Sequence, residues 1–175
     1  MISKNISIEK VVPNQVLQLQ EISRKTFYDT FALVNTPQNM EHYLHTNLSE
    51  TQLSNELNNP ESEFYFLTSN DIISGYLKLN TGNAQTEKMP NDCFEIERIY
   101  ILSELKGKGI GQLLLEHAIK IAAKNNFKII WLAVWEQNPR AIRFYQKNGF
   151  EEFGEHYFIL GKDNQRDILM KKNVS

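Results

Sequence analysis

The chain has 175 residues, of which 41% are hydrophobic and 23% charged, and its formal net charge is −2. This is enough chain for one domain with a sizeable core, and we predict a single domain over residues 1–175. The single cysteine, Cys93, excludes an internal disulfide and a multi-cysteine zinc site, and no metal site is predicted. No apolar run is long enough to cross a membrane, and the N-terminus lacks an apolar signal region, so we expect a cytoplasmic protein.

The first half of the chain predicts one strand, three helices and a hairpin. Apolar residues alternate over 6–12, which is typical of a strand. Candidate capping residues then mark three helix starts, and the second start carries a proline in its favoured first-turn position. Two further alternating stretches are separated by a short polar turn, as in a β-hairpin. We predict helices from Asn14 to Phe31, from Thr36-Pro37, and from Ser49 or Ser54 to the residue before Asn59-Pro60, and strands over 63–68 and 72–80.

The second half predicts two strand–helix units and a final pair of strands. A strand over 94–102 precedes a loop rich in glycine and lysine, and apolar residues at helical spacing then continue to about residue 125. A buried strand over 128–135 precedes a short helix over 139–147, which Gly149 ends. Strands over 150–160 and 166–171 flank a turn over 161–164. The order β-α-α-α-β-β-β-α-β-α-β-β predicts an α/β fold, a central mixed sheet with helices on both faces.

The loop Lys106-Gly107-Lys108-Gly109-Ile110-Gly111 has the properties of a phosphate or pyrophosphate site. A helix N-terminus offers free N–H groups and a partial positive charge. Glycines let the backbone approach a ligand closely, and the two lysines add charge. The loop is not a P-loop, because glycine rather than Ser or Thr follows Gly107-Lys108. It is not a Rossmann fingerprint either, because Gln112 stands at the third glycine position.

Charge is unevenly distributed along the chain. The segment 26–77 has seven acidic residues and no Lys or Arg, whereas the segment 98–148 has nine basic and three acidic residues. A basic half suits a phosphorylated cofactor, and an acidic half suits a cationic substrate, because a cleft lined with one sign concentrates the opposite charge. Solvated helix faces explain the acidic half equally well. The pI is near 6.1 and the bases coincide with the phosphate loop, so no nucleic-acid partner is predicted.

Two motifs resemble the GCN5-related N-acetyltransferase (GNAT) superfamily. The loop 106–111 resembles motif A, Gln/Arg-x-x-Gly-x-Gly/Ala, with Lys106 at the first position. The segment 138–150, Asn-Pro-Arg-Ala-Ile-Arg-Phe-Tyr-Gln-Lys-Asn-Gly-Phe, is similar to the family's Asn-x-x-Ala-x-x-Phe-Tyr-x-x-x-Gly-Phe. The resemblance implies the GNAT acyl-CoA N-acyltransferase fold, in which the strands on either side of the motif A helix run parallel and splay apart around the pantetheine arm. It also implies acetyl-CoA as the cofactor and direct transfer of its acetyl group to a primary amine.

Further stretches resemble the PaiA-type polyamine acetyltransferases of bacteria. These stretches are 62–66, 75–80, 84–87, 131–136 and 161–167, and the match as a whole extends over nearly the whole chain. This resemblance implies N-acetylation of spermidine and spermine, which are polycations and agree with the acidic segment. A small-molecule amine substrate and a monomer or homodimer are expected. A protein or peptide N-acetyltransferase is the alternative, and an acetyl-CoA-binding regulatory module is less favoured.

The resemblance also suggests the reacting residues. Tyr145 matches the family tyrosine whose hydroxyl lies near the cofactor sulfur. Glu97 lies where many members place the carboxylate that takes the amine proton, directly or through water. Alternation puts Glu95 on the same face, so it is the alternative, and a bulge in this strand would change which of the two faces the cleft. An ion pair of Glu97 with Arg98 or a lysine is the competing structural explanation.

The remaining predicted site residues bind the cofactor or the amine. Asn138 is expected to hold the pantetheine arm and to cap the helix that Pro139 begins. A backbone N–H between Arg98 and Ile101 is expected to hold the oxyanion. The predicted cofactor-binding residues are Ile99, Tyr100, Ile101, Lys106, Gly107, Lys108, Gly109, Ile110, Gly111, Gln112, Asn138, Arg140, Tyr145 and Lys147, with Arg143 as a further phosphate candidate. The predicted substrate-binding residues are Asp29, Glu87 and Glu97.

Overall fold

A computed structural model of the protein describes residues 5–174. Within these residues the chain forms a seven-stranded mixed sheet and five α-helices. In chain order the elements are β1 (Ile6–Lys10), α1 (Val16–Phe31), α2 (Pro37–Thr46), α3 (Glu50–Leu57), β2 (Ser62–Ser69), β3 (Ile72–Asn80), β4 (Cys93–Ile101), α4 (Ile110–Lys124), β5 (Ile129–Trp135), α5 (Pro139–Lys147), β6 (Glu151–Leu160) and β7 (Asp163–Asn173). The strand order is β1-β2-β3-β4-β5-β7-β6, so the predicted mixed sheet and the predicted order of elements are confirmed.

Two of the three predicted helix starts are confirmed by their capping contacts. The Thr36 hydroxyl accepts the N–H of Asn39, and the Ser49 hydroxyl accepts the N–H of Gln52, so Ser49 rather than Ser54 begins α3. The prediction that Asn14 caps α1 is wrong. A single 3-10 turn over Pro13–Gln15 precedes that helix, and the Gln15 side chain accepts the N–H of Val12 instead.

Two-residue turns set where the strands of two hairpins meet. Asn70 and Asp71 both have positive φ, 53° and 63°, as the two-residue turn between β2 and β3 requires. Between β6 and β7 the turn is also only two residues long, with Gly161 at a φ of 64°. Asp163 already pairs with Leu160, so β7 begins three residues earlier than the sequence predicts.

Helices pack on both faces of the sheet. One core lies between the sheet and α4, and its fully buried residues include Leu77, Leu114 and Leu132. The other core lies between the sheet and α1, α2 and α3, and includes Leu19 and Phe64. No helix in residues 5–174 is both long and apolar enough to cross a membrane.

The parallel strands β4 and β5 separate half-way along their length. They pair only where Cys93–Ile96 face Ile129–Leu132, and beyond that point the two strands diverge. The remaining residues of β4 have no partner on the β5 side, although from Arg98 onward they still pair with β3. This splay, which the family resemblance implies, opens a gap in the middle of the sheet.

A β-bulge lies at the point where the strands separate. Lys78 pairs with Arg98 and Leu79 pairs with Ile96, so Glu97 is an extra residue in β4. A bulge re-aims the side chains that follow it. Arg98 and Tyr100, rather than Ile99, therefore lie on the face that carries Glu95 and is covered by α1.

Candidate active site

The gap between β4 and β5 leads into a cleft of about 730 Å³, called the main cleft here. This volume lies in the range of small-molecule and cofactor sites. Its walls are largely apolar side chains of the two strands and α5, and its far end is the loop that precedes α4. Eleven of the predicted cofactor residues line it: Ile99, Tyr100, Ile101, Lys106, Gly107, Gly109, Gly111, Gln112, Asn138, Arg140 and Tyr145.

The loop before α4 presents backbone N–H groups to the main cleft. Gly107 and Gly109 have φ angles of 83° and 79°, which favour glycine. Within residues 5–174, no acceptor binds the N–H groups of Gly107, Gly109, Ile110 or Gly111. Arg140 lies against this loop, because a Cβ on Gly107 would be 3.0 Å from its Nη2 atom. Free N–H groups at a helix N-terminus beside a guanidinium form a site for a pyrophosphate.

Three of the predicted cofactor residues do not line the main cleft. The Ile110 side chain is buried in the core beneath α4, so this residue can offer only its N–H group. Lys108 and Lys147 are exposed outside the cleft, as is Arg143. They can add to the local positive potential without contacting a ligand in the cleft.

Tyr145 and Asn138 face the gap from α5. Tyr145 is 7% exposed and lines the main cleft, and burial raises its pKa, so its hydroxyl keeps its proton at neutral pH. No described residue hydrogen-bonds that hydroxyl, which leaves it available as a donor. The Asn138 Oδ1 atom accepts the N–H of Ala141 at 3.1 Å and caps α5, while its amide nitrogen has no partner among the described residues. Both residues can therefore donate to a ligand in the main cleft.

A second cavity, of about 240 Å³, adjoins the main cleft on the α1 side of the sheet. The two spaces share Phe31, Glu97, Tyr100, Ala133 and Trp135, so a molecule in one can meet a molecule in the other. The walls of the second cavity combine aromatic rings with the charged or titratable residues Glu95, Glu97, Arg98, His156 and Asp167.

Glu97 lies where the two spaces meet, in a buried network of ion pairs. Its Oε2 is 2.5 Å from the Lys78 Nζ, and its Oε1 is 3.0 Å from the Arg98 Nη2. Glu56 binds the same two cations, at 3.1 Å from Lys78 and 2.9 Å from Arg98. Burial opposes ionisation of Glu97, but Arg98 and Lys78 outweigh it and lower the pKa of this carboxyl. Glu97 is therefore ionised at neutral pH and held in one position.

Glu95 lies beside Glu97 but has a different environment. Burial raises the pKa of Glu95, against the hydrogen bonds that it accepts from the Thr86 hydroxyl, the Asn80 amide and the Thr86 N–H. Asn80 donates to both carboxylates, at 3.0 Å to Glu95 and 2.6 Å to Glu97. The two carboxyls therefore face the second cavity with pKa values shifted in opposite directions.

The other predicted substrate-binding residues lie farther away. Asp29 is exposed and lines neither space, and its Oδ2 atom is 3.3 Å from the Lys25 Nζ. Glu87 does not line the second cavity itself, but contacts His156, which does. The acidic segment 26–77 supplies no carboxylate to the walls of either space, and its Glu56 and Glu63 are paired with bases from outside the segment.

Comparison with known proteins identifies the family. The sequence model of the Acetyltransferase (GNAT) family matches residues 18–150. The chain belongs to the GNAT family. It is 38% identical, over 95% of its length and 96% of the relative's, to an uncharacterized N-acetyltransferase in the pepI 3′ region of Lactobacillus delbrueckii subsp. lactis. It is 27% identical, over 84% of its length and 89% of the relative's, to the spermidine N(1)-acetyltransferase of Thermoplasma acidophilum.

Solved structures agree with this assignment. The PaiA N-acetyltransferase of Thermoplasma acidophilum, in complex with coenzyme A, superposes with a TM-score of 0.79 at 25% identity over 97% of this chain and 99% of that one. The protein is thus a GNAT N-acetyltransferase, and GNAT enzymes use acetyl-CoA. The main cleft fits that cofactor, because the free N–H groups and Arg140 suit its pyrophosphate and the apolar gap suits its pantetheine arm.

Sequence reasoning missed several residues of this candidate site. Lys78 and Asn80 fix Glu97, and His156 and Asp167 line the second cavity. The sequence did contain a signal for Lys78 and Asn80. They alternate with Tyr76 and so share one face of β3, and antiparallel pairing places Lys78 directly across from Arg98 of β4. No short-range pattern marks His156 and Asp167, because they meet only through the pairing of β6 with β7.

Proposed function

We propose that this acetyltransferase transfers an acetyl group from acetyl-CoA directly to a primary amine, and that the amine is a polyamine such as spermidine or spermine. The observation that carries the proposal is the junction of the two spaces. Tyr145 lines the main cleft, and Glu97 lies at the opening to a cavity of amine size. The cofactor supplies an activated thioester, and the protein must position it, receive the amine and manage two protons.

Binding in the main cleft would fix the thioester in the gap between the strands. The N–H groups of Gly107 and Gly109 and the Arg140 guanidinium would hold the pyrophosphate, and Asn138 would donate to the pantetheine arm. Because β4 has no partner on its β5 side beyond Ile96, its free backbone N–H groups can stabilise negative charge on the carbonyl oxygen.

Two side chains would then handle the protons. The amine nitrogen forms a bond to the carbonyl carbon as the carbon–sulfur bond breaks. The ammonium proton passes through water to Glu97, and the Tyr145 hydroxyl gives a proton to the leaving sulfur. The raised pKa of Tyr145 keeps its proton in place until the sulfur becomes anionic.

Glu95 is the alternative acceptor of the amine proton. Its raised pKa makes it the stronger base. However, its oxygens already accept three hydrogen bonds, and it lines only the second cavity. Glu97 lines both spaces and is therefore our choice for the carboxylate that meets the amine.

Three observations support a polyamine as the acceptor. The second cavity has carboxylates in its wall, Glu95, Glu97 and Asp167, which attract cations. Aromatic residues, among them Tyr43, Tyr76 and Trp135, line this cavity and can pack against an alkylammonium chain. A relative 27% identical to this chain is a spermidine N(1)-acetyltransferase. The cytoplasmic location, the single domain and the monomer or homodimer stay predictions.

Glu97→Gln and Glu95→Gln, assayed side by side, test this proposal. The purified protein is given acetyl-CoA and spermidine, and the product is identified by the mass of one added acetyl group. We expect Glu97→Gln to lower turnover most at low pH, where fewer amines are neutral. If Glu95→Gln has this effect and Glu97→Gln does not, the proton acceptor is Glu95. If the wild-type protein acetylates another amine but neither spermidine nor spermine, the polyamine proposal fails.

A further inference from the structure

His156 lies in the wall of the second cavity between two carboxylates from different segments. Its Nδ1 atom is 2.9 Å from the Glu87 Oε1, and its Nε2 atom is 3.3 Å from the Asp167 Oδ2. Glu87 comes from the loop that joins β3 to β4, and Asp167 is the cross-strand partner of His156 in the β6–β7 pair. The imidazole therefore joins three segments at one point of the cavity wall.

These two carboxylates differ from Glu97 in how their charge is balanced. Glu97 is paired with Lys78 and Arg98. In contrast, within residues 5–174 no Lys or Arg nitrogen lies within 4.0 Å of a carboxylate oxygen of Glu87 or Asp167. The neighbouring base Arg166 is bound to Glu136 and Glu155 instead. Protonated His156 is thus the cation that offsets part of the charge of these two carboxylates.

We propose that His156 determines acceptor specificity: its charge state decides how well the second cavity accepts an amine that carries a second positive charge. The inference rests on the proposed function and names a feature of its substrate. When His156 is protonated, it offsets the charge of Glu87 and Asp167. When it loses its proton, Asp167 in the cavity wall and Glu87 beside His156 are left without that cation, so the wall attracts a distal ammonium group more strongly.

The pH dependence has a definite sign. The Asp167 carboxylate, 3.3 Å from the imidazole, raises the pKa of His156 against the effect of burial, so the imidazolium persists above the ordinary value of 6.5 and is lost as the pH rises further. The other titratable or charged groups of the cavity are Glu95, Glu97, Arg98, Tyr43, Tyr76, Tyr100 and Asp167. Since Glu95 also has a raised pKa, the test must separate its titration from that of His156.

The test compares 1,4-diaminobutane with n-butylamine, which has the same carbon chain and one charge fewer. The ratio of their kcat/KM values is measured between pH 6 and 9.5. Both substrates react through a primary amine, so taking the ratio cancels most of the effect that deprotonation of this amine has on the rate. For wild type we expect the ratio to rise about tenfold with pH, a modest effect for one charge in a partly buried cavity. In His156→Asn the ratio should be high throughout and independent of pH.

Two further variants complete the experiment. At high pH, Asp167→Asn should give a lower ratio than wild type, because the cavity wall has lost a carboxylate, and it keeps the inference testable if His156→Asn fails to fold. His42→Asn is the matched control, because His42 is exposed and lines neither space, and it should reproduce the wild-type curve. The inference about His156 would be overturned if the ratio in His156→Asn rises with pH as in wild type, or if the ratio in Asp167→Asn equals that of wild type. Either result would leave the proposed function intact. If wild type acetylates neither amine nor any polyamine, the proposed function itself fails.

Discussion

Replacement of Lys78 by methionine removes the cation that bridges Glu56 and Glu97. The Lys78 side chain is only 6% exposed, and the two carboxylates are 13% and 17% exposed. Removal of one partner from a buried ion pair costs about 3–5 kcal/mol, because a charge is left without compensation in a poorly solvated place. Arg98 still contacts both carboxylates, so we expect the lower end of that range, about 3 kcal/mol.

The exposed pair of Lys10 and Glu63 provides a matched control. Their charged atoms are 2.6 Å apart, but their side chains are 57% and 37% exposed, and such pairs contribute about 0–1 kcal/mol. The free energy of unfolding of Lys78→Met and Lys10→Met is measured by urea denaturation at pH 7. If the two variants lose the same small amount, the buried network does not stabilise the fold and our account of how Glu97 is held is wrong.

The same variant has a predictable dependence on pH. Because the pKa of Glu97 is lowered in the folded protein, its ionisation stabilises the fold fully above the ordinary value of 4.5, and this contribution is lost as the pH falls through the lowered pKa. Loss of Lys78 lets that pKa rise. The deficit of Lys78→Met relative to wild type should therefore be largest above pH 5 and shrink toward pH 3, in a series of urea titrations. A deficit that stays constant across this range would contradict the assignment of the effect to Glu97.

Three other predictions concern the cofactor and the chemistry. Tyr145→Phe should lower kcat at least about tenfold while the Kd of acetyl-CoA, measured by calorimetry, changes little, because the lost hydroxyl acts on the leaving sulfur; unchanged turnover would reject its proton-donor function. Arg140→Ala should weaken acetyl-CoA binding about tenfold or more, whereas Arg143→Ala, which removes an exposed charge outside the cleft, should weaken it far less; equal effects would place the phosphates elsewhere. Gly111→Ala should weaken acetyl-CoA binding. It should not lower the free energy of unfolding, because an added Cβ meets only the Ile101 Cδ1 at 3.9 Å and alanine favours a helix. A stability loss in the urea assay would show that the glycine is needed for packing instead.

Much of the fold could be predicted because its signals are local. Alternation of apolar residues, caps such as Thr36 and Ser49, and the glycine loop before α4 each lie within a few residues of the feature that they specify. The wrong prediction for the start of α1 also has a local cause. Asn14 was a plausible cap, but the Gln15 side chain binds the Val12 N–H and starts the helix later.

The chemistry of the site depends on longer-range structure. The residues that line the main cleft were largely predictable, because Gly107, Gly109 and Tyr145 lie in continuous motifs. The amine half was not, because the environment of Glu97 is set by a bulge in the β3–β4 register and by Glu56 from α3. The net charge of a sequence segment also did not predict the charge of the cavity wall, since the carboxylates that line it lie outside 26–77.

The most direct test of the account is release of free thiol from acetyl-CoA by the purified protein, with spermidine, spermine, lysine and a short peptide as separate acceptors. We predict strong turnover with spermidine or spermine and little with the peptide, because the second cavity is of small-molecule size and carries carboxylates in its wall. Turnover with the peptide alone would make the protein a peptide N-acetyltransferase. Binding of acetyl-CoA with no thiol release for any of the four amines would contradict the transfer mechanism assigned to Tyr145 and Glu97.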